Sequence, residues 1–156
     1  MPDTIISFNA QGRLLAKARG YAQALDQLIL DGAQAIDPLV RALPLADNDL
    51  KLKIVMMLGT MANPRVVPPL YNLLRDAGQS ENLRQAAAVQ LSLLGGLLPP
   101  PERRELAARL IADLASDNAS LRGYAAFALG WEDNQAAVAP LVEALCDEDC
   151  EVQQAA

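Results

Sequence analysis

Two short segments hold the side chains most able to do chemistry. The stretch CDEDC, residues 146–150, sets Cys146 and Cys150 four positions apart around three carboxylates. Thiolates and carboxylates together are ligands for a divalent metal. Zinc, however, is generally held by four nitrogen or sulfur ligands, and neither a Cys-x-x-Cys pair nor a histidine accompanies these two. The stretch WEDN, residues 131–134, places an aromatic ring beside Glu132 and Asp133 in a turn. A third set is dispersed: Lys51, Arg84 and Arg122 each follow a leucine, and a row of cations can read acidic groups or nucleic acid.

The chain contains no histidine. That removes the commonest general base near neutral pH and the commonest transition-metal ligand. Carboxylates, lysine, tyrosine or cysteine remain as possible catalysts, but the composition favours a protein that is not an enzyme and uses no metal or cofactor. The formal net charge of −6 repels phosphate backbones and anionic lipid. Lysines and arginines are scattered, with no cluster longer than Arg103-Arg104. No apolar run approaches the roughly 18 residues that a membrane helix needs. Two cysteines and the lack of a secretory leader point to a reducing, cytoplasmic setting.

Positioning these residues is the task of a repeat. LKLKIVMMLGTMANPRVVPPL, residues 50–70, is echoed 71 positions later by LRGYAAFALGWEDNQAAVAPL, residues 121–141. The pair Leu50-Lys51 recurs as Leu83-Arg84 and Leu121-Arg122 and degenerates to Val152-Gln153, in steps of 33, 38 and 31 residues. A second apolar anchor precedes each pair: Leu39, Leu70, Leu110 and Leu141. A period in the thirties with two apolar segments per period predicts stacked helical hairpins. The abundance of Ala and Leu, with only 4% aromatic residues, suits closely packed helices better than strands.

First helices are expected near 34–45, 64–77, 101–116 and 135–146, and second helices near 49–61, 81–94, 119–131 and from 150 onward. A leading helix near 11–30, with Leu14, Leu15, Leu25 and Leu28, would cap the stack. Val138, Leu141, Val142 and Leu145 share one helical face. Asn63 before Pro64 reads as a helix N-cap, with Asn134 in the equivalent slot. Asp47-Asn48-Asp49 and Asp117-Asn118 mark turns inside hairpins. Gly59, Gly95 and Gly130 fall near helix ends, where positive φ is favoured. The division is a single domain: a cap over residues 1–32, then repeats over 33–62, 63–95, 96–131 and 132–156, the last incomplete. Its short final helix suggests either a chain that continues or self-association through that edge.

With LRGYAAFALG followed by AAVAPLVEAL, and LKLKIVMMLG with RVVPPLYNLL as a looser copy, the sequence resembles HEAT repeats of the short bacterial, phycobilisome-lyase type. The resemblance covers about residues 33–156 and implies an all-α, right-handed α-α superhelix, an armadillo-like solenoid of about four hairpins. It implies that the Lys51, Arg84 and Arg122 ladder pairs with the turn acids Asp47, Asp49 and Asp117 across adjacent repeats. Some members are bilin lyases or isomerases, so a subunit holding a tetrapyrrole, with Glu132 or Asp133 assisting, is the alternative function. HEAT-like DNA glycosylases need a basic cleft that the net charge does not favour, and HEAT-like deoxyhypusine hydroxylases need histidine ligands to iron. The segment LLGGLLPPPERREL, residues 93–106, departs from the pattern. This longer proline-rich link is expected either to change the stacking angle locally or to form a loop open to a partner, with Arg109 where the other repeats have Pro38, Pro69 and Pro140.

In such arrays the second helices line the concave side. With Leu50, Leu83 and Leu121 buried, the outward direction falls on Leu52, Met56 and Thr60, then Gln85, Val89 and Leu93, then Gly123, Phe127 and Trp131. An apolar set on an outward face is a candidate protein-binding groove. Met56, Val89, Leu93, Tyr124, Phe127 and Trp131 are the expected contacts of an interaction scaffold whose partner is another protein.

Overall fold

Eight α-helices account for most of residues 32–156, which are the residues that the computed structural model describes. They are α1 (Ile36–Ala42), α2 (Asn48–Thr60), α3 (Val67–Arg75), α4 (Glu81–Leu97), α5 (Pro100–Asp113), α6 (Ala119–Ala128), α7 (Gln135–Ala144) and α8 (Cys150–Ala155). Short 3-10 turns, Gly32–Ala35, Leu43–Leu45 and Pro64–Val66, adjoin the first and third of these. No strand occurs among the described residues, so the fold is all-α there. The capping helix expected near 11–30 lies outside them. No helix among the described residues is long and apolar enough to cross a membrane.

Local chemistry sets where the helices begin. Asp47, Asn118 and Asp149 each accept a hydrogen bond from a backbone amide of the turn that follows, at 3.0, 2.9 and 2.9 Å. These caps occupy donors that a helix start leaves unpaired. Asn63 does the same for the amide of Arg65 ahead of Pro64. Asn134 takes the equivalent slot differently: its side-chain amide donates to the carbonyl of Leu129 at 2.9 Å.

The repeated leucines form the core. Leu50, Leu83, Leu121 and Val152 are buried, as are Leu39, Leu70 and Leu110, while Leu141 is half-buried. Each such leucine contributes about 1.5–3 kcal/mol relative to leaving it in water. Between them lie Ala87, Ala88, Ala125 and Ala128, whose small side chains let helix backbones approach closely. The second helices contact one another in sequence, α2 with α4, α4 with α6, and α6 with α8. Of the first helices, α3 lies against α4, and α5 against α4, α6 and α7. The polypeptide therefore builds two layers of helices with the leucines between them.

Two expectations are corrected by the structure. Gly59, Gly95 and Gly130 do not take positive φ; among the described residues the left-handed non-glycine ones are Ala62 (φ 47°) and Asp133 (φ 60°), 71 positions apart in the two echoed segments. Gly59 and Gly95 instead leave room for side chains of the next second helix or the turn after it. A β-carbon on Gly59 would stand 1.8 Å from Oε1 of Gln90, and one on Gly95 would collide with Trp131.

The segment 93–106 is not an open link. Helix α4 runs through Leu97, α5 begins at Pro100, and only Leu98 and Pro99 lie between, with Leu98 buried. Proline fits the first positions of a helix because the missing amide would have had no partner there. Arg103 ties the junction by donating from one Nη2 to the carbonyls of Gly96 and Leu98, at 2.9 and 3.1 Å.

On α7, Val138, Val142 and Leu145 share an exposed face, and the helix buries Ala137 and Ala144. Helix α7 sits at the edge of its layer, and nothing among the described residues covers that face.

Candidate functional site

The cations of the ladder each reach into the following hairpin, by three different means. Lys51 Nζ donates to Gln79 Oε1 at 2.9 Å, and Gln79 in turn donates to Asp76 Oδ2 at 2.7 Å. That hydrogen bond, then the one from the Gly78 amide, holds the Asp76 carboxyl below the usual carboxylate range. The buried Arg84 guanidinium donates to the carbonyl of Leu74 at 2.8 Å and lies 4.8 Å from the Tyr124 ring centre. Arg122 is also buried and binds both oxygens of Asp147, at 2.8 and 2.9 Å, while donating to the Ser116 carbonyl at 2.9 Å. A two-pronged guanidinium–carboxylate pair of this kind is strongly directional. The hydrogen bond from Arg122 is the main reason the Asp147 carboxyl titrates below its usual value.

The expected carboxylates are therefore replaced. Asp47 caps α2, and neither Asp49 nor Asp117 forms an ion pair with Lys51, Arg84 or Arg122. The acid that Arg122 meets is in the turn after α7, so the guanidinium bridges that turn of the next hairpin and the Ser116 carbonyl in the turn ahead of its own helix.

A polar lock on the other layer was not anticipated. Tyr71 on α3 donates to Asp113 Oδ2 on α5 at 2.7 Å, and both residues are buried. Arg75 approaches Asp113 Oδ1 at 3.6 Å, and the guanidiniums of Arg75 and Arg109 both lie 5.7 Å from the Tyr71 ring centre. Burial, then the hydrogen bond to Asp113, pushes the Tyr71 hydroxyl up to about 12. Arg109, the residue that stands in place of the repeat proline, thus packs its cation on an aromatic face. The only sequence signal was that substitution itself.

Of the six expected contact residues, Met56, Leu93 and Phe127 are exposed, at 54%, 61% and 44%. Val89 and Tyr124 are half-buried. Trp131 is buried, which corrects its assignment to the binding face. Helix α6 ends at Ala128, and the backbone then turns through Leu129 and Gly130, so residue 131 no longer follows the helical wheel. Its indole folds back onto Gly95 of α4.

Tyr124 and Phe127 come together in a groove of about 310 Å3 between α4, α6 and α8. Glu81, Gln85, Gly123 and Glu151 also line it. Met56, Val89 and Leu93 do not. They continue the same row of second helices beyond the groove. Burial raises the Tyr124 hydroxyl above its usual value; Arg84 opposes this, and the carboxylates of Glu81 and Glu151 add to it. Glu132 and Asp133 are exposed in the turn after α6 and take no part in the groove. Cys146 and Cys150 are both free thiols at the surface, and no group of three potential metal ligands assembles among the described residues.

Neither the family models nor the curated proteins with which the sequence was compared match it.

Proposed function

We propose that this chain is a HEAT-like α-solenoid that binds a protein partner along the outward side of its second helices, without catalysing a reaction. The observation that carries the reading is the row α2, α4, α6, α8, from which Met56, Leu93 and Phe127 extend large apolar side chains into solvent. Scattered apolar surface residues are ordinary, but a row of them along one layer is the pattern of a docking face. Stacked hairpins that contact only their neighbours give such a face length and some adaptability. Analogy of fold contributes to this reading but does not identify the partner.

The test is capture of partners from the native host by the full chain and by a Leu93→Asp/Phe127→Ala variant shown by circular dichroism to be folded. Loss of one captured protein by the variant alone supports the reading. Equal capture by both would sink it and move attention to the exposed face of α7.

A further inference from the structure

The groove between α4, α6 and α8 has a chemistry of its own. Its charged lining consists of Glu81, on the first turn of α4, and Glu151, on the first turn of α8, and no cation lines it. Both carboxylates are exposed, and neither takes part in an ion pair among the described residues. Tyr124 and Phe127, the latter 44% exposed, line the same groove. Gly123 and Ala88 keep the floor shallow and free of bulky side chains, while Asn82 and Gln85 add uncharged hydrogen-bonding groups. Arg84, 4.8 Å from the Tyr124 ring centre, is buried and does not line the space.

We propose, building on the partner-binding reading above, that this groove receives a lysine or arginine side chain from a basic peptide segment of the partner. The cation would sit between the Glu81 and Glu151 carboxylates and over the Phe127 face. Three features fit that occupant. Two carboxylates with no ion-pair partner among the described residues line a half-open groove, so the local potential is negative and complementary to an ammonium or guanidinium. An aromatic face attracts a cation through its quadrupole. A volume of about 310 Å3 is at the small end of ligand sites and suits one long side chain with its flanking backbone. A net charge of −6 would draw a basic segment toward the molecule from a distance.

The experiment measures fluorescence polarisation of a fluorescein-labelled peptide of alternating lysine and glycine against the full chain in low salt. The alternating glutamate–glycine peptide is the charge control. Saturable binding of the lysine peptide alone is expected. Glu81→Gln/Glu151→Gln should weaken it about tenfold, the effect of removing two partly exposed ion pairs. Phe127→Leu should weaken it about threefold through loss of the cation–π contact. The variant Glu132→Gln/Asp133→Asn removes the same amount of charge outside the groove and should leave binding nearly unchanged. Equal weakening by the two charge-removing variants would reduce the effect to the general field and overturn the proposal, as would absence of saturable binding. If Leu93→Asp abolishes capture of a natural partner while Glu81→Gln/Glu151→Gln leaves capture intact, the partner-binding reading stands and this inference fails.

Discussion

The indole of Trp131 occupies the space that a β-carbon on Gly95 would need: an added Cβ would come within 2.2 Å of its Cε3. The chain's one tryptophan therefore keys the turn after α6 into a notch on α4. Gly95→Ala should destabilise the protein by about 1–3 kcal/mol, because a rigid ring must move. Trp131→Ala should cost about 3–5 kcal/mol through the cavity it leaves. In the Trp131→Ala background the sign of Gly95→Ala should reverse, with a gain of up to about 1 kcal/mol from the better helix former. Urea unfolding of the four proteins closes this cycle. An equal cost of Gly95→Ala in both backgrounds would show that the notch is not the cause.

Ala62 holds a left-handed conformation with φ 47°, whereas Asp133, at the matching point of the later repeat, holds φ 60°. A β-carbon in that region costs about 1–2 kcal/mol, and aspartate tolerates it better than alanine. Ala62→Gly should therefore stabilise the protein by up to about 1 kcal/mol, after allowance for the greater freedom glycine gives the unfolded chain. Asp133→Gly should gain less. Thermal denaturation of both variants reads the difference, and a loss of stability in Ala62→Gly would contradict this account of the turn.

The Tyr71–Asp113 bond predicts a weakness at alkaline pH. The hydroxyl titrates near 12 in the fold against 10.0 for an ordinary tyrosine, so folding favours its neutral form. The stability this provides is complete below about pH 10 and is lost as pH rises from there through 12. Absorbance at the phenolate band should include a late step near pH 12, and Tyr71→Phe should remove that step. The same substitution strands a buried carboxylate oxygen and should cost about 1–3 kcal/mol at neutral pH. A phenolate titration that Tyr71→Phe leaves unchanged at its alkaline end would refute the lock.

At the acid end the sign is opposite. Arg122 holds the Asp147 carboxyl below its usual value, so this pair contributes stability above the ordinary carboxylate range. That contribution is lost as pH falls through the depressed folded value. Asp147→Asn should lower the melting temperature at pH 7 and flatten its decline between neutral and strongly acidic pH. Lys51→Met, which removes a hydrogen bond to a neutral glutamine, should change the melting temperature much less. Equal effects of the two would mean that the ladder's rungs are interchangeable.

The sequence by itself determined where the helices lie and which leucines they bury. Helical periodicity, Asp and Asn caps and proline at helix starts act within a few residues, so Leu50, Leu83 and Leu121 could be placed from spacing alone. It also singled out Phe127 and Tyr124, because both lie within the straight part of α6. The tertiary structure decided what depends on how one hairpin meets the next. Arg122 chose Asp147 over Asp117, Arg84 chose a carbonyl and a ring over a carboxylate, and Trp131 left the surface for the notch at Gly95. Helical projection stops being valid where a helix ends, and α6 ends three residues before Trp131. The groove joins Glu81 with Glu151, 70 positions apart in the chain, and no local pattern brings residues at that separation together. Only the packing of α4, α6 and α8 does so.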